Sequence, residues 1–153
     1  MENQIEKPVY ETESAILSFS GSGNFFLCDD YAAPIKIGIA VYPSVRAATL
    51  AHKTRDHRIK TKIRNAITPA DLKEIERGII SPSHWTKEYI IAKMTELTMQ
   101  KFLKHPELKT RLLATKPKRL TNQTEPTLQR FEIDEVCDDQ TYADILMNVR
   151  EQL

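Results

Sequence analysis

Side chains able to do chemistry gather at three places along the chain. Asp29 and Asp30 are adjacent carboxylates. The stretch Tyr42-Pro43-Ser44-Val45-Arg46 runs on to His52 and Lys53. Further along, Glu132, Asp134, Glu135, Asp138 and Asp139 form an acidic cluster. A carboxylate can take a proton from an attacking water or stabilise positive charge developing on a substrate. Asp29, Asp30, Glu132 and Asp134 are therefore the candidate catalytic residues. Each has a structural alternative: the aspartate pair ahead of Tyr31-Ala32-Ala33-Pro34 suits a turn, and the later cluster suits a solvated edge. Arg46 cannot be a general base, because a guanidinium keeps its proton at any physiological pH. It can hold a phosphate beside a helix N-terminus, where backbone N–H groups point the same way. Alternatively it lies on the surface or is ion-paired to Asp29, Asp30 or Glu132. Trp85, the only tryptophan, either stacks on a ligand base or packs in the core beside Tyr89. His52 and His57 are isolated, and Cys28 and Cys137 lack C-x-x-C spacing, so no metal site is expected.

These residues must be carried by regular elements, and the hydropathy pattern outlines them. Residues 1 to 13 are polar and precede one domain over 14 to 153. Ala15 to Phe19 reads as a short strand, and Ser20 to Asn24 as a glycine-containing turn. Phe25 to Leu27 is a second apolar run. Ile35, Ile37 and Ile39 alternate with Lys36, Gly38 and Ala40, the period of a half-buried strand. The first 43 residues thus predict a small antiparallel sheet.

Helical patterns follow. The first spans about Val45 to Lys53, with Ser44 as N-cap and Val45, Ala48, Thr49 and His52 on one face. A second covers about Arg55 to Ala66, with Ile59, Ile63, Ala66 and Ile67 on one face. Thr68-Pro69-Ala70-Asp71 is a start signal that combines a capping threonine, a proline at the first helical position and an acid at the positive helix end. Gly78 marks the stop. The longest helix covers about His84 to Lys104, with a stripe of Trp85, Ile90 or Tyr89, Met94, Leu97 and Phe102. Pro106 then starts a helix to about Thr115. Residues 116 to 127 read as a loop whose Lys116-Pro117-Lys118-Arg119 run is either solvated or phosphate-contacting. Phe131 to Val136 reads as a strand, and about Thr141 to Leu153 as the last helix, burying Tyr142, Ile145, Leu146 and Val149.

At 153 residues, 41% hydrophobic and 28% charged, the chain can bury a core without disulfide or metal staples. A net charge of +1 supplies no global field toward nucleic acid or membrane. No apolar run reaches the ~20 residues of a membrane span. Glu2, Glu6 and Glu11 do not look like a targeting peptide, so free thiols and a cytoplasmic location are expected, host cytoplasm if the source is viral.

Several motifs occur together in a known order. Tyr42-Pro43-Ser44-Val45-Arg46-Ala47-Ala48-Thr49-Leu50-Ala51-His52-Lys53 resembles the Y-P-S-V-E-H-A-x-x-A-x-K signature of the YbiA-like N-glycosidases, the NADAR family. Phe26-Leu27-Cys28-Asp29-Asp30-Tyr31 resembles its F-L-S-N-F-Y, and Ala66-Ile67-Thr68-Pro69 its A-x-T-P. Trp85, Lys87 and Met94 follow its tryptophan-led pattern. Lys101 to Leu108 resembles K-F-x-Q-H-P-E-L, Leu112 to Thr115 matches L-L-A-T, and Leu146 to Arg150 matches L-M-x-V-R. The set covers roughly residues 16 to 153. The resemblance implies a YbiA-like, predominantly helical α+β fold: a small N-terminal antiparallel sheet followed by a helical cluster. It also implies cleavage of N-glycosidic bonds in ribosylamino-pyrimidine phosphates or ADP-ribosylated guanine, without a cofactor. With the phosphate-holding reading of Arg46 beside it, the ligand-binding candidates are Arg46, Trp85, Phe26 and Lys53.

The departures fall on the acidic positions. Arg46 stands where the signature has glutamate, and Asp29 stands where F-L-S-N has asparagine. The late segment E-A-S-P-x-D-x-x-W-G, aligned on Pro126, becomes Gln123, Leu128, Phe131 and Glu132. The closing N-x-L-G becomes Gln140 to Ala143. The expected function is a catalytically degenerate relative that binds a nucleotide, an ADP-ribose-like or phosphorylated ribosyl ligand, or a protein partner. Two alternatives stand beside it: an active N-glycosidase with relocated carboxylates, and an interaction protein with a filled cleft.

Overall fold

The computed structural model describes residues 11–17, 19, 23–121 and 139–153. The expected strand Phe131 to Val136, and with it Gln123, Leu128, Phe131, Glu132 and Asp134, lies outside the described residues. At the centre is helix α1 (Val45–Ala51), in which all seven residues are buried. Ser44 caps it, its Oγ accepting the Ala47 N–H at 3.1 Å. Ala47, Ala48 and Ala51 present so little side chain that neighbouring elements approach from every side. Five of its seven residues are apolar, and the helix is buried on every face although Arg46 and Thr49 are polar.

Helix α4 (Lys87–Lys104) lies against α1 and also receives α6 (Asp139–Gln152). Its buried stripe of Ile90, Met94, Leu97 and Phe102 faces that core. The helix starts at Lys87 rather than His84, because Thr86 is the cap, accepting the Tyr89 N–H at 3.2 Å. Helix α2 (His57–Arg64) is capped by Asp56. Helix α3 (Pro69–Arg77) opens on a complete capping box: Thr68 Oγ1 accepts from Asp71 N and the Asp71 carboxylate accepts from Thr68 N. Helix α5 (Pro106–Ala114) follows Pro106 directly.

The sheet content differs from the expected single N-terminal sheet. Strands β2 (Ile35–Ile37) and β3 (Ala40–Tyr42) form an antiparallel hairpin with Ile35 opposite Tyr42. Gly38 turns it with a φ of 61°, which ends the strand where the Ile35/Ile37/Ile39 alternation predicted continuation. Ile39 is consequently 98% exposed. Strand β1 (Ala15–Ile16) does not join the hairpin; it pairs in parallel with β4 (Arg119–Leu120), inside the expected loop. Thr121 N donates to Ile16 O at 2.9 Å, and Leu120 is fully buried, so burial of one apolar side chain converts a basic loop into a ladder. Phe25–Leu27, the second apolar run, forms a 3-10 turn. Ile67, expected on the buried face of the second helix, is 91% exposed, because α2 ends at Arg64 and the chain has turned before reaching it. In the basic run, Lys118 pairs with Glu11 at 2.9 Å and Lys116 with Glu151 at 3.9 Å. No helix among the described residues is long and apolar enough to cross a membrane.

Candidate functional site

Two groups of buried charged side chains lie at the two ends of α1, apart from Arg150, which is buried beside Thr115. At its N-terminal end Arg46 is 4% exposed. Its backbone N–H donates to Asp29 O at 2.9 Å, and its Nη2 lies 2.9 Å from both Asp29 Oδ1 and Oδ2. Asp29 is equally hidden at 4%, in the turn that leaves the 3-10 segment. The chain thus brings together two of the predicted site residues, as a buried ion pair. Asp30, the next residue, is half-buried. A charge on a helix buried all round must be neutralised or titrate away; a guanidinium cannot titrate away, so a carboxylate has to be supplied.

Lys101 completes this centre. It is fully buried in α4, and its Nζ donates to Phe26 O at 2.7 Å and Cys28 O at 3.0 Å. It therefore fixes the backbone on either side of Leu27 and, through it, the position of Asp29. Burial pulls its pKa down to about 8, against the opposing pull of Asp29. Tyr142, from α6, is buried at the same centre with its hydroxyl 3.5 Å from Thr98 Oγ1. Burial, with the Asp29 charge adding to it, pushes the phenol well above its ordinary pKa. Phe26, buried at 3%, carries the Arg111 guanidinium 4.0 Å over its ring.

At the other end of α1, Lys53 is 1% exposed, with Nζ 3.5 Å from Glu76 Oε1 and 5.8 Å from the centroid of Trp85. Trp85 is 8% exposed and packs at 6.0 Å from Tyr89. Its indole Nε1 has no hydrogen-bond partner among the described residues. All four ligand-binding candidates, Arg46, Trp85, Phe26 and Lys53, therefore contribute to buried layers around α1. The other two catalytic candidates, Glu132 and Asp134, lie outside the described residues. Lys101 and Glu76 escaped sequence reasoning, although a signal existed. Lys101 falls four residues after Leu97 and seven after Met94, on the apolar stripe, and Glu76 falls four after Leu72 on the buried face of α3. A charge on a buried stripe marks a residue with a partner. No three His, Cys, Asp or Glu side chains gather to hold a metal among the described residues.

Residues 10–126, about three quarters of the chain, match the NADAR domain. The chain belongs to the NADAR family. Its fold is similar to the NMR structure of the E. coli protein YbiA, with a TM-score of 0.72 and 24% sequence identity over 97% of this chain and 89% of that one. No curated protein sequence matches it. Within the NADAR fold, Arg46 occupies the second helical position after Ser44, which places the departure from the S-V-E signature at the buried start of α1.

Proposed function

We propose that this NADAR protein is a catalytically degenerate relative of the N-glycosidases, which keeps the framework and uses it to bind a nucleotide, an ADP-ribose-like or phosphorylated ribosyl ligand, or a protein partner. The observation that carries this reading is the Arg46–Asp29 pair at 2.9 Å, buried at the head of α1. Breaking a ribosyl C–N bond puts positive charge on the sugar ring, and a carboxylate at this point would stabilise that charge and accept a proton from water. A guanidinium does neither. At ~4 Å and an effective dielectric near 20, two like charges repel by about 4 kcal/mol, roughly a thousandfold in rate. Asp29 offsets that repulsion, but both its oxygens already face Nη2, so its basicity is directed at Arg46. The two departures act as one unit: the cation and the anion that neutralises it replace a glutamate and an asparagine.

The test is incubation of the purified protein with ribosylamino-pyrimidine phosphates and with ADP-ribosylated guanosine, following release of free base. The expected rate equals the buffer control. Release above the control that disappears in Asp30→Asn or Glu132→Gln would overturn the proposal in favour of relocated carboxylates.

A further inference from the structure

A groove of about 310 Å³ lies between α2 and α3, lined by Ile59 and Lys62 on one side and by Glu74, Ile75 and Gly78 on the other. It shares no lining residue with the Arg46–Asp29 centre. Ile59 and Ile75, both half-buried, form its floor. Gly78 keeps it open. The φ of Gly78 is −85°, which any residue adopts, and a Cβ there would meet only Ile75 O, at an ordinary 3.5 Å. Neither the backbone nor packing within the chain requires a glycine at this position; the missing side chain leaves room on the groove. Two residues further on, Ile80 is 92% exposed, and Ile67, just ahead of α3, is 91% exposed. Single exposed apolar residues are ordinary, but these two bracket a helix that already borders an open apolar floor.

The charges beside the groove are sorted by wall. Arg58 and Lys62, four residues apart, share one stripe of α2. Neither joins an ion pair among the described residues. Asp71 and Glu74, three residues apart, share the stripe of α3 that borders the groove. Asp71 accepts the Thr68 N–H, and Glu74 lies 3.0 Å from Arg77 in an exposed contact. Lys73 and Arg77 form a neighbouring stripe of α3. On α2, Arg64 stands 5.8 Å over the Tyr42 ring and Lys60 lines a different depression. One wall is thus basic, the other acidic, and the floor between them apolar. A uniformly acidic partner would be repelled by Glu74, and a uniformly basic one by Lys62. The pattern complements itself instead. A two-fold axis along the groove lays the basic wall of each copy on the acidic wall of the other.

We infer that the α2–α3 face docks a second copy of this chain, with Lys62 of each copy against Glu74 of the other and Ile80 of each in the space beside Gly78 of the other. The inference does not depend on the reading of Arg46.

The test is sedimentation velocity of the full-length protein over about 0.01 to 1 mM, which reads the monomer–dimer equilibrium. The natural chain dimerises within that range. Ile80→Asp and Gly78→Leu each weaken the dimer by about tenfold or more, the first by removing the apolar anchor and the second by filling the groove. Both positions are exposed, so the monomers keep their fold, which circular dichroism checks. Lys62→Glu and Glu74→Lys each dimerise about tenfold or more weakly alone, because each sets like charges opposite one another. An equimolar mixture of the two restores the dimer, since both contacts across the axis are then of opposite sign. Restoration by mixing separates this face from any other mode of association. The inference is overturned if the natural chain stays monomeric at about 1 mM. It is equally overturned if Ile80→Asp and Gly78→Leu dimerise as tightly as the natural chain, or if the mixture of charge variants gives no more dimer than either alone.

Discussion

Replacing Asp29 with asparagine is the most informative perturbation of the α1 centre. The substitution keeps the side-chain volume and removes one negative charge. It leaves two buried cations facing a neutral amide: Arg46, 4% exposed, and Lys101, whose protonated form Asp29 supports. Removing one member of a buried ion pair costs about 3–5 kcal/mol, because the survivor remains charged in a low-dielectric setting. Against a typical total of roughly 5–15 kcal/mol for a domain, that is a large share. With a urea m-value of about 2 kcal/mol/M, the midpoint of unfolding should fall by roughly 2 M. The double substitution Asp29→Leu/Arg46→Met removes both charges and should be much less harmful than Asp29→Asn, since apolar packing often replaces a buried pair at little cost. The double-mutant cycle, with the matching single variants, should give a coupling of about 2–3 kcal/mol in favour of the pair. The reasoning fails if Asp29→Asn shifts the urea midpoint by less than about 0.5 M, or if the two single effects simply add.

Two further expectations follow from the same structure. Lys101 has its pKa lowered to about 8 in the native state from 10.5, so between those values the unfolded chain holds more protons and stability rises with pH, by roughly 3 kcal/mol over the whole span. Tyr142 opposes this above about pH 10: its raised native pKa means that the unfolded phenol ionises first and stability is lost as pH rises further. Urea midpoints between pH 7 and 11 should climb and then level or fall, and Lys101→Met should remove the climb; an unchanged profile in that variant would show that Lys101 is not its source. Separately, Thr68→Ala deletes half of the α3 capping box and should cost about 1 kcal/mol by urea unfolding.

The local grammar of this chain was readable because its causes lie within a few residues. Ser44 caps α1 through Ala47, Thr68 and Asp71 cap each other, and Pro106 starts α5, all through contacts three residues apart or fewer. The ordered motifs carried the family and the predominantly helical fold for the same reason, since each preserves a short stretch of framework. Folding in three dimensions decided the rest. Ile39 continued a perfect alternation, yet the positive φ of Gly38 turned the hairpin first. Residues 119–120 looked like a basic loop, yet they pair with residues 15–16 more than a hundred positions earlier. The partner of Arg46 lies 17 residues away, and the carbonyls held by Lys101 lie 75 and 73 residues away. Sequence showed that a cation stood where a carboxylate was expected; only the packing around α1 showed that it is buried, and burial is what forces an anion to accompany it.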